Sequence, residues 1–119
     1  MTTKLRGILQ DLIGEDTRAV ALLSLDGQVI EAVSKSGAQD LQAAAADLAA
    51  LIKVGAYCMR KLDGGDLEHL TMTTDNLAVL AVVLGPAHYL AAVLEAGGNL
   101  ARARMQIRRR RAEIAEELT

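Results

Sequence analysis

The chain has 119 residues, of which 51% are hydrophobic and 24% are charged, and its net charge is −2. This composition is typical of one globular domain over residues 1–119 and excludes wholesale disorder. A single cysteine excludes an internal disulfide, and with only two histidines it leaves too few soft ligands for a structural zinc site. The slightly negative charge argues against a nucleic-acid partner. Composition predicts a cytoplasmic domain whose core is aliphatic, since the chain has two tyrosines and no phenylalanine or tryptophan.

The N-terminal part of the chain predicts a helix followed by a hairpin. Residues 18–25 are nearly all apolar, as in a strand buried on both faces, and residues 28–33 resume the same composition. Asp26-Gly27 between them is a strong hairpin signal. The preceding helix has one apolar stripe, which consists of Leu5, Ile8, Leu9, Leu12 and Ile13.

The longest predicted helix spans residues 38–62 and is rich in alanine. Ser36 and Gln39 match the capping-box spacing at its start. Two apolar stripes run along it, and because one stripe suffices to cover a sheet, the second indicates self-association. The first stripe is Leu41, Ala45, Leu48, Ile52, Gly55, Met59 and Leu62, and the second is Ala44, Leu51, Val54 and Cys58.

Three strands and a last helix are predicted after the long helix. Threonines in residues 67–74 suit an edge strand, whereas residues 77–84 and 88–94 read as buried strands. The uncharged stretch 76–94 is almost long enough to span a membrane, but Gly85-Pro86 interrupts it, so no integral membrane segment is expected. The order α-β-β-α-β-β-β-α, with the last helix over 99–118, predicts an α+β fold with a mostly antiparallel sheet.

Few residues in this sequence suit catalysis. Neither G-x-x-x-x-G-K-[ST] nor G-x-G-x-x-G occurs, so no loop is built to hold phosphates. Cys58 and His69 form the only nucleophile and base combination, and Cys58 falls on the apolar side of its helix, where a packed thiol is expected. The sequence therefore predicts a protein that is not an enzyme, with no catalytic residues, cofactor or metal.

The last helix concentrates positive charge. Residues 99–118 hold six of the 13 basic residues, including the arginine run 108–111. Two interpretations stay open: a basic patch for an acidic partner, or a solvated face whose arginines pair with nearby glutamates. Gly97-Gly98-Asn99 before this helix is interpreted as a turn with an ordinary cap, although its amides also suit an anion.

The order of elements and three local strings resemble the Roadblock/LC7 family, whose bacterial members include MglB-type partners of small GTPases. The first string is Ala21-Leu-Leu-Ser-Leu-Asp-Gly-Gln-Val-Ile30, similar to the family's first hairpin. The others are the long helix 38–62 and the tract 77–100, which ends in Ala96-Gly-Gly-Asn-Leu100. The resemblance implies a five-stranded sheet with the long helix on one face and the two terminal helices on the other.

The resemblance also implies a homodimer in which the strand at 67–74 pairs edge to edge and the long helices lie side by side. The chemistry of the sequence agrees, since an exposed edge strand invites pairing. The residues expected in the dimer interface are Leu67, His69, Leu70, Thr71, Met72 and Thr73.

Family members bind small Ras-like GTPases, and some stimulate GTP hydrolysis, so the resemblance implies a regulatory GTPase-binding module. The alternative is a structural scaffold that assembles a multiprotein complex without touching a GTPase. Tyr57 is assigned either to the partner surface or to the homodimer interface, since tyrosine is enriched in both settings. The residues expected to meet a partner lie on the outward side of the long helix: Gln42, Ala46, Ala49, Lys53 and Tyr57.

Overall fold

One antiparallel sheet of five strands organises the part of the chain that the computed structural model describes, residues 2–35 and 40–118. The strands follow the order β2-β1-β5-β4-β3, and four helices cover the sheet. This confirms the α+β class and the predicted five-stranded antiparallel sheet. The elements are α1 Thr2–Leu12, β1 Thr17–Ser24, β2 Val29–Ser34, α2 Leu41–Lys61, β3 His69–Thr73, β4 Leu77–Val83, β5 His88–Glu95, α3 Leu100–Arg109 and α4 Arg111–Glu117.

Each face of the sheet carries its own apolar core. On one face, α1, α3 and α4 pack against alternate residues of the strands, with Leu9, Leu22 and Ile114 among the fully buried side chains. On the opposite face, α2 packs against the other set, which includes small residues such as Ala21 and Ala91. The alternation follows from the strand period of two residues, and it confirms the expected placement of the long helix opposite the terminal helices.

The long helix begins later than its sequence predicts. Asp40 is the N-cap of α2, and its Oδ1 accepts a hydrogen bond of 2.9 Å from the backbone N–H of Gln42. The predicted capping box at Ser36 and Gln39 lies outside the described residues. Beyond Ile52 none of the described α2 residues is buried. The first apolar stripe predicted for this helix therefore covers the sheet only along the first half of α2.

The last helix is broken rather than continuous. α3 and α4 meet at Arg110, whose backbone N–H bonds to the Ile107 carbonyl three residues back, as in a tighter 3₁₀ turn. The Arg110 guanidinium bonds to Glu113 at 2.8 Å and to Asp11 of α1 at 3.0 Å. These bonds raise the pKa of Arg110 and tie the bend to α1. One arginine of the run therefore serves the structure.

Two segments of the chain, residues 76–94 and α2, are long and apolar. Residues 76–94 form β4 and β5 with a turn between them, as predicted. Among the described residues, α2 is the one helix long and apolar enough to cross a membrane by composition alone. Leu48 and Ile52 of α2 are buried against the sheet, as in the covering helix of a globular domain.

Candidate interaction surfaces

The outer strand β3 presents a regular, unpaired edge. Within the described sheet it pairs only with β4, in an unbroken register from His69 opposite Val82 to Thr73 opposite Ala78. Just outside both ends, Val83 donates to the Glu68 carbonyl and Thr74 donates to the Leu77 carbonyl, each at 2.9 Å. Hydrogen-bonding direction alternates along an antiparallel strand. The even-numbered residues therefore turn their backbone groups to β4, and the backbone groups of His69, Thr71 and Thr73 point away from the sheet.

The residues predicted for the dimer interface differ in their exposure and in the face of the sheet on which they lie. Thr71, Met72 and Thr73 are exposed and Leu70 is partly buried. Leu67 is partly buried too, but it lies in the loop before β3, because the strand spans His69–Thr73 rather than 67–74. On the α3 side of the sheet, one guanidinium nitrogen of Arg104 lies 3.2 Å from His69 Nε2.

An exposed apolar strip lies on the α2 side of the same edge. Leu51, Val54, Cys58 and Leu62 follow one another along one side of α2, and Met72 of β3 lines a crevice together with Leu51. The relative exposure is 67% for Val54 and 70% for Leu62. Single exposed apolar side chains are common, but several side by side on one surface mark a site of interaction. We call Leu51, Val54, Cys58, Leu62 and Met72 the apolar strip.

A glycine brings this strip close to the edge strand. A Cβ atom placed on Gly55 would lie 2.9 Å from Leu70 Cδ1 and 3.3 Å from Leu67 Cδ2. The missing side chain therefore lets Leu67 and Leu70 pack directly on α2. The second apolar stripe predicted for the long helix becomes a surface continuous with β3 for this reason.

The predicted partner residues lie on the side of α2 away from β3, with one exception, and Lys53 and Tyr57 among them border Val54 and Cys58 of the apolar strip in one shallow pocket. Gln42, Ala46, Lys53 and Tyr57 are exposed. Ala49 is 3% exposed and packs in the core between α2 and the sheet, so its placement on an outward surface was wrong. The helical period explains the error, because Ala49 lies four residues after Ala45 and three before Ile52, both buried.

The outward side of α2 adjoins the turn between β1 and β2. A Cβ atom on Gly27 would lie 3.2 Å from the Ala46 Cα, and Gly27 has a φ of 95°, which favours glycine. In the same turn, a hydrogen bond from the Ser24 hydroxyl lowers the pKa of Asp26, and the charge of Lys53 adds to this effect. The Lys61 ammonium lies 4.4 Å from the centre of the Tyr57 ring, within the range of a cation–π contact.

A groove opens beside this outward side. It has a volume of about 600 Å³ and lies between α2 and the turn that joins β4 to β5. Its apolar lining includes Ile52, Leu67 and Pro86. Charges of both signs line it as well, from Lys53, Arg60, Arg111, Asp66 and Glu68. An apolar groove with a few charged groups is the usual form of a site that accepts a partner's side chain.

The residues suspected of catalysis do not meet. Cys58 is on α2, on one face of the sheet, whereas His69 contacts α3 on the opposite face. The thiol is also exposed rather than packed as predicted, because nothing among the described residues covers that side of α2. Over the described ranges 2–35 and 40–118, no three His, Cys, Asp or Glu side chains are grouped so that they would hold a metal.

The basic C-terminal helices are partly neutralised within the fold. Arg110 pairs with two carboxylates, and Arg108 lies 3.7 Å from Glu68.

At the start of α3, the Asn99 side chain accepts a hydrogen bond from the Arg102 N–H at 3.0 Å, and the Asn99 N–H donates to Asp16 Oδ2 at 3.1 Å. A carboxylate of the chain itself therefore occupies the helix start, which confirms an ordinary cap there.

One buried aromatic residue was missed by the sequence interpretation. Tyr89 on β5 is fully buried beneath α2, and its hydroxyl donates a hydrogen bond of 3.0 Å to the Ala45 carbonyl. Burial raises the pKa of this hydroxyl. The only available signal was the position of Tyr89 inside an apolar strand, which does not identify its partner on a helix 44 residues earlier.

Comparison with known proteins agrees with this geometry. A family model described as the Roadblock/LC7 domain matches residues 11–95, the segment from the end of α1 to the end of β5. No curated protein sequence matches the chain.

Solved structures match the whole fold. A Roadblock/LC7 domain from Streptomyces avermitilis has a TM-score of 0.85 at 19% identity, over 98% of each chain. Gliding protein MglB of Thermus thermophilus has a TM-score of 0.84 at 17% identity, over 98% of this chain and 91% of that one. Myxococcus xanthus MglB has a TM-score of 0.84 at 15% identity, over 98% of this chain and 95% of that one. Identities this low show a shared fold and nothing finer.

Proposed function

Because the chain belongs to the Roadblock/LC7 domain family, we propose that it is a non-catalytic, homodimeric regulatory adaptor that binds a small Ras-like GTPase in the cytoplasm. The observation that carries the proposal is the regular open edge of β3 beside the apolar strip. Strand pairing needs such an edge, and a stable homodimer needs apolar surface to bury.

Pairing of two β3 edges explains both features together. An antiparallel β3–β3 contact about a two-fold axis joins two five-stranded sheets into one of ten strands. The α2 helices of both copies then lie on the same face of the joined sheet. Because the apolar strip lies on the β3 side of α2, the strips of the two copies face each other and become buried from solvent.

The dimer leaves the opposite side of α2 free for a partner. Gln42, Ala46, Lys53 and Tyr57 are exposed on that side of the helix. Lys53 also lines the groove between α2 and the β4–β5 turn, and Tyr57 borders Val54 and Cys58 of the apolar strip. The small side chain of Ala46 lets a partner approach the helix closely, and Tyr57 supplies an aromatic contact. Lys53 and Arg60 are suited to pair with acidic groups of a GTPase. These features support a docking surface formed mainly by rigid helix, which favours recognition of a folded partner.

The test separates dimerisation from partner binding. Light scattering gives the mass of the wild-type chain and of Tyr57→Ala at micromolar concentration. Calorimetry measures the binding of each to purified small Ras-like GTPases from the same genome, loaded with a non-hydrolysable GTP analogue. Arg102→Ala on α3, an exposed residue on the opposite face of the sheet, is the control.

We expect Tyr57→Ala to remain a dimer and to bind the GTPase at least about 30-fold more weakly, the equivalent of about 2 kcal/mol for an interface hot spot. The control should match the wild type in both measurements. A monomeric wild type contradicts the homodimer. A monomeric Tyr57→Ala assigns the ring to the dimer interface, and unchanged binding by an intact dimer excludes this surface of α2.

A further inference from the structure

The two edges of the sheet are built differently. The β3 edge has an unbroken register, and within the described residues no side chain bonds to the outward backbone groups of His69, Thr71 or Thr73. The opposite edge, β2, pairs only with β1 among the described strands, and its register is interrupted. Leu22 pairs with Glu31 and Leu23 pairs with Val29, so Ile30 between them is the extra residue of a β-bulge.

Side chains occupy the outward backbone groups of β2 next to the bulge. The Lys35 N–H donates to the Arg18 carbonyl at 2.8 Å, which sets the alternation along this strand pair. Glu31 and Val33 therefore turn their backbone groups to β1, and the N–H and carbonyl of Ala32 point away from the sheet.

Both outward groups of Ala32 have partners. The Arg6 guanidinium, reaching from α1, donates to the Ala32 carbonyl at 3.2 Å, and the Ala32 N–H donates to Glu31 Oε1, also at 3.2 Å. Arg6 and Glu31 are joined by an ion pair of 2.9 Å. We call this arrangement the Arg6–Glu31 clasp.

We propose that the Arg6–Glu31 clasp closes the β2 edge to any added strand, including a second copy of this chain, so that edge-to-edge association can use β3 alone. An incoming strand would need the Ala32 N–H and carbonyl, and it would have to displace a guanidinium and a carboxylate that already satisfy them. The Glu31 side chain is 15% exposed, so the displaced carboxylate would lose its pairing without regaining full hydration. The bulge at Ile30 removes the regular register on the other side of Ala32.

Closing one edge limits the size of the assembly. A sheet with two open edges can add copies at both sides and grow without end, which is the hazard of exposed edge strands. With β2 closed, association through the sheet stops after one contact. The clasp is independent of the proposed GTPase binding, and its effect on β2 does not depend on whether β3 dimerises.

The test removes the clasp and leaves the sheet intact. The variant is Arg6→Ala with Glu31→Ala. The matched control is Lys4→Ala with Glu117→Ala, which removes another ion pair of α1, 4.0 Å long, without touching β2. Light scattering across micromolar to submillimolar concentrations gives the mass of each, and thermal unfolding verifies folding. If the double variant does not fold, Arg6→Ala alone, a change at an exposed helix position, carries the same test.

We expect the control to keep the wild-type mass at every concentration, and the clasp variant to reach at least twice that mass as concentration rises. A clasp variant that coincides with the control overturns the proposal. Thr71→Pro added to both variants separates this result from the β3 dimer, because it weakens the β3 contact equally in each, and the clasp variant should still exceed the mass of the control as concentration rises. A monomeric wild type contradicts the homodimer alone, since the clasp variant should still double its mass.

Discussion

Proline substitutions at two neighbouring residues of β3 distinguish the outward edge of the strand from the side that pairs with β4. The register places the Thr71 N–H on the outward side of β3 and directs the Leu70 N–H to the carbonyl of Ala81 in β4. Proline removes the N–H in both cases. Thr71→Pro therefore removes a donor offered to a second copy, whereas Leu70→Pro removes a donor that the fold itself uses.

The magnitudes follow from what each N–H contacts. In a two-fold symmetric dimer Thr71→Pro removes two hydrogen bonds, each with a net value of about 0.5–1.5 kcal/mol, so the dimer should weaken by about 1–3 kcal/mol, or about 5- to 150-fold. Its fold should change little, because proline is tolerated on edge strands. Leu70→Pro leaves the carbonyl of Ala81, a residue only 3% exposed, without its donor, which costs the folded chain about 1–3 kcal/mol.

Two assays read these effects separately. Sedimentation equilibrium gives the dimer dissociation constant, and urea unfolding gives the free energy of unfolding. Thr71→Ala is the control, since it shortens the side chain and keeps the N–H. A Thr71→Pro dimer as tight as the Thr71→Ala dimer refutes the assignment of the outward groups. So does a Thr71→Pro chain that loses as much unfolding free energy as Leu70→Pro.

Two further substitutions test the core and the turn beside α2. Tyr89→Phe removes the hydroxyl bonded to Ala45, so the free energy of unfolding should fall by about 1 kcal/mol, or about 4 °C in Tm for a chain of this size, in thermal unfolding followed by circular dichroism. Burial raises the pKa of Tyr89, so the folded chain keeps a proton that the unfolded chain loses above about pH 10. The wild type should therefore lose stability above that pH more steeply than Tyr89→Phe, and equal slopes would contradict this account. Gly27→Ala should lower the free energy of unfolding by about 1–3 kcal/mol in urea, because φ is 95° there, and an unchanged value would show that the turn relaxes.

Local patterns predict most of the fold of this chain. Apolar periodicity identifies α1 and α2, Asp26-Gly27 identifies the first hairpin, and Gly85-Pro86 separates β4 from β5. These signals lie within a few residues of what they determine. The break at Arg110 was not predicted, and one of its contacts is with Asp11, which is 99 residues away in the sequence.

The candidate surfaces were predicted less completely, because they too depend on contacts between residues that are distant in the sequence. The sequence indicates that α2 has apolar residues to spare, but not that burial ends at Ile52 and leaves Cys58 exposed. Ala49 was misplaced although the helical period of its neighbours already pointed to the core. The clasp on β2 escaped prediction, since nothing in the sequence relates Arg6 to a backbone carbonyl 26 residues later.

The position of β5 between β1 and β4 sets the order in which the chain can fold during synthesis. The central contact of the sheet joins Ala21 to Ala91, so the β1–β2 hairpin has no central neighbour until β5 has left the ribosome. Closing so long a loop has a high entropic cost, and proteins rich in distant strand pairs fold slowly. Until then the inner edge of β1 remains unpaired. The nascent chain thus passes through a stage at which a chaperone would find an apolar hairpin open on its inner side, and that stage ends only when β5 emerges.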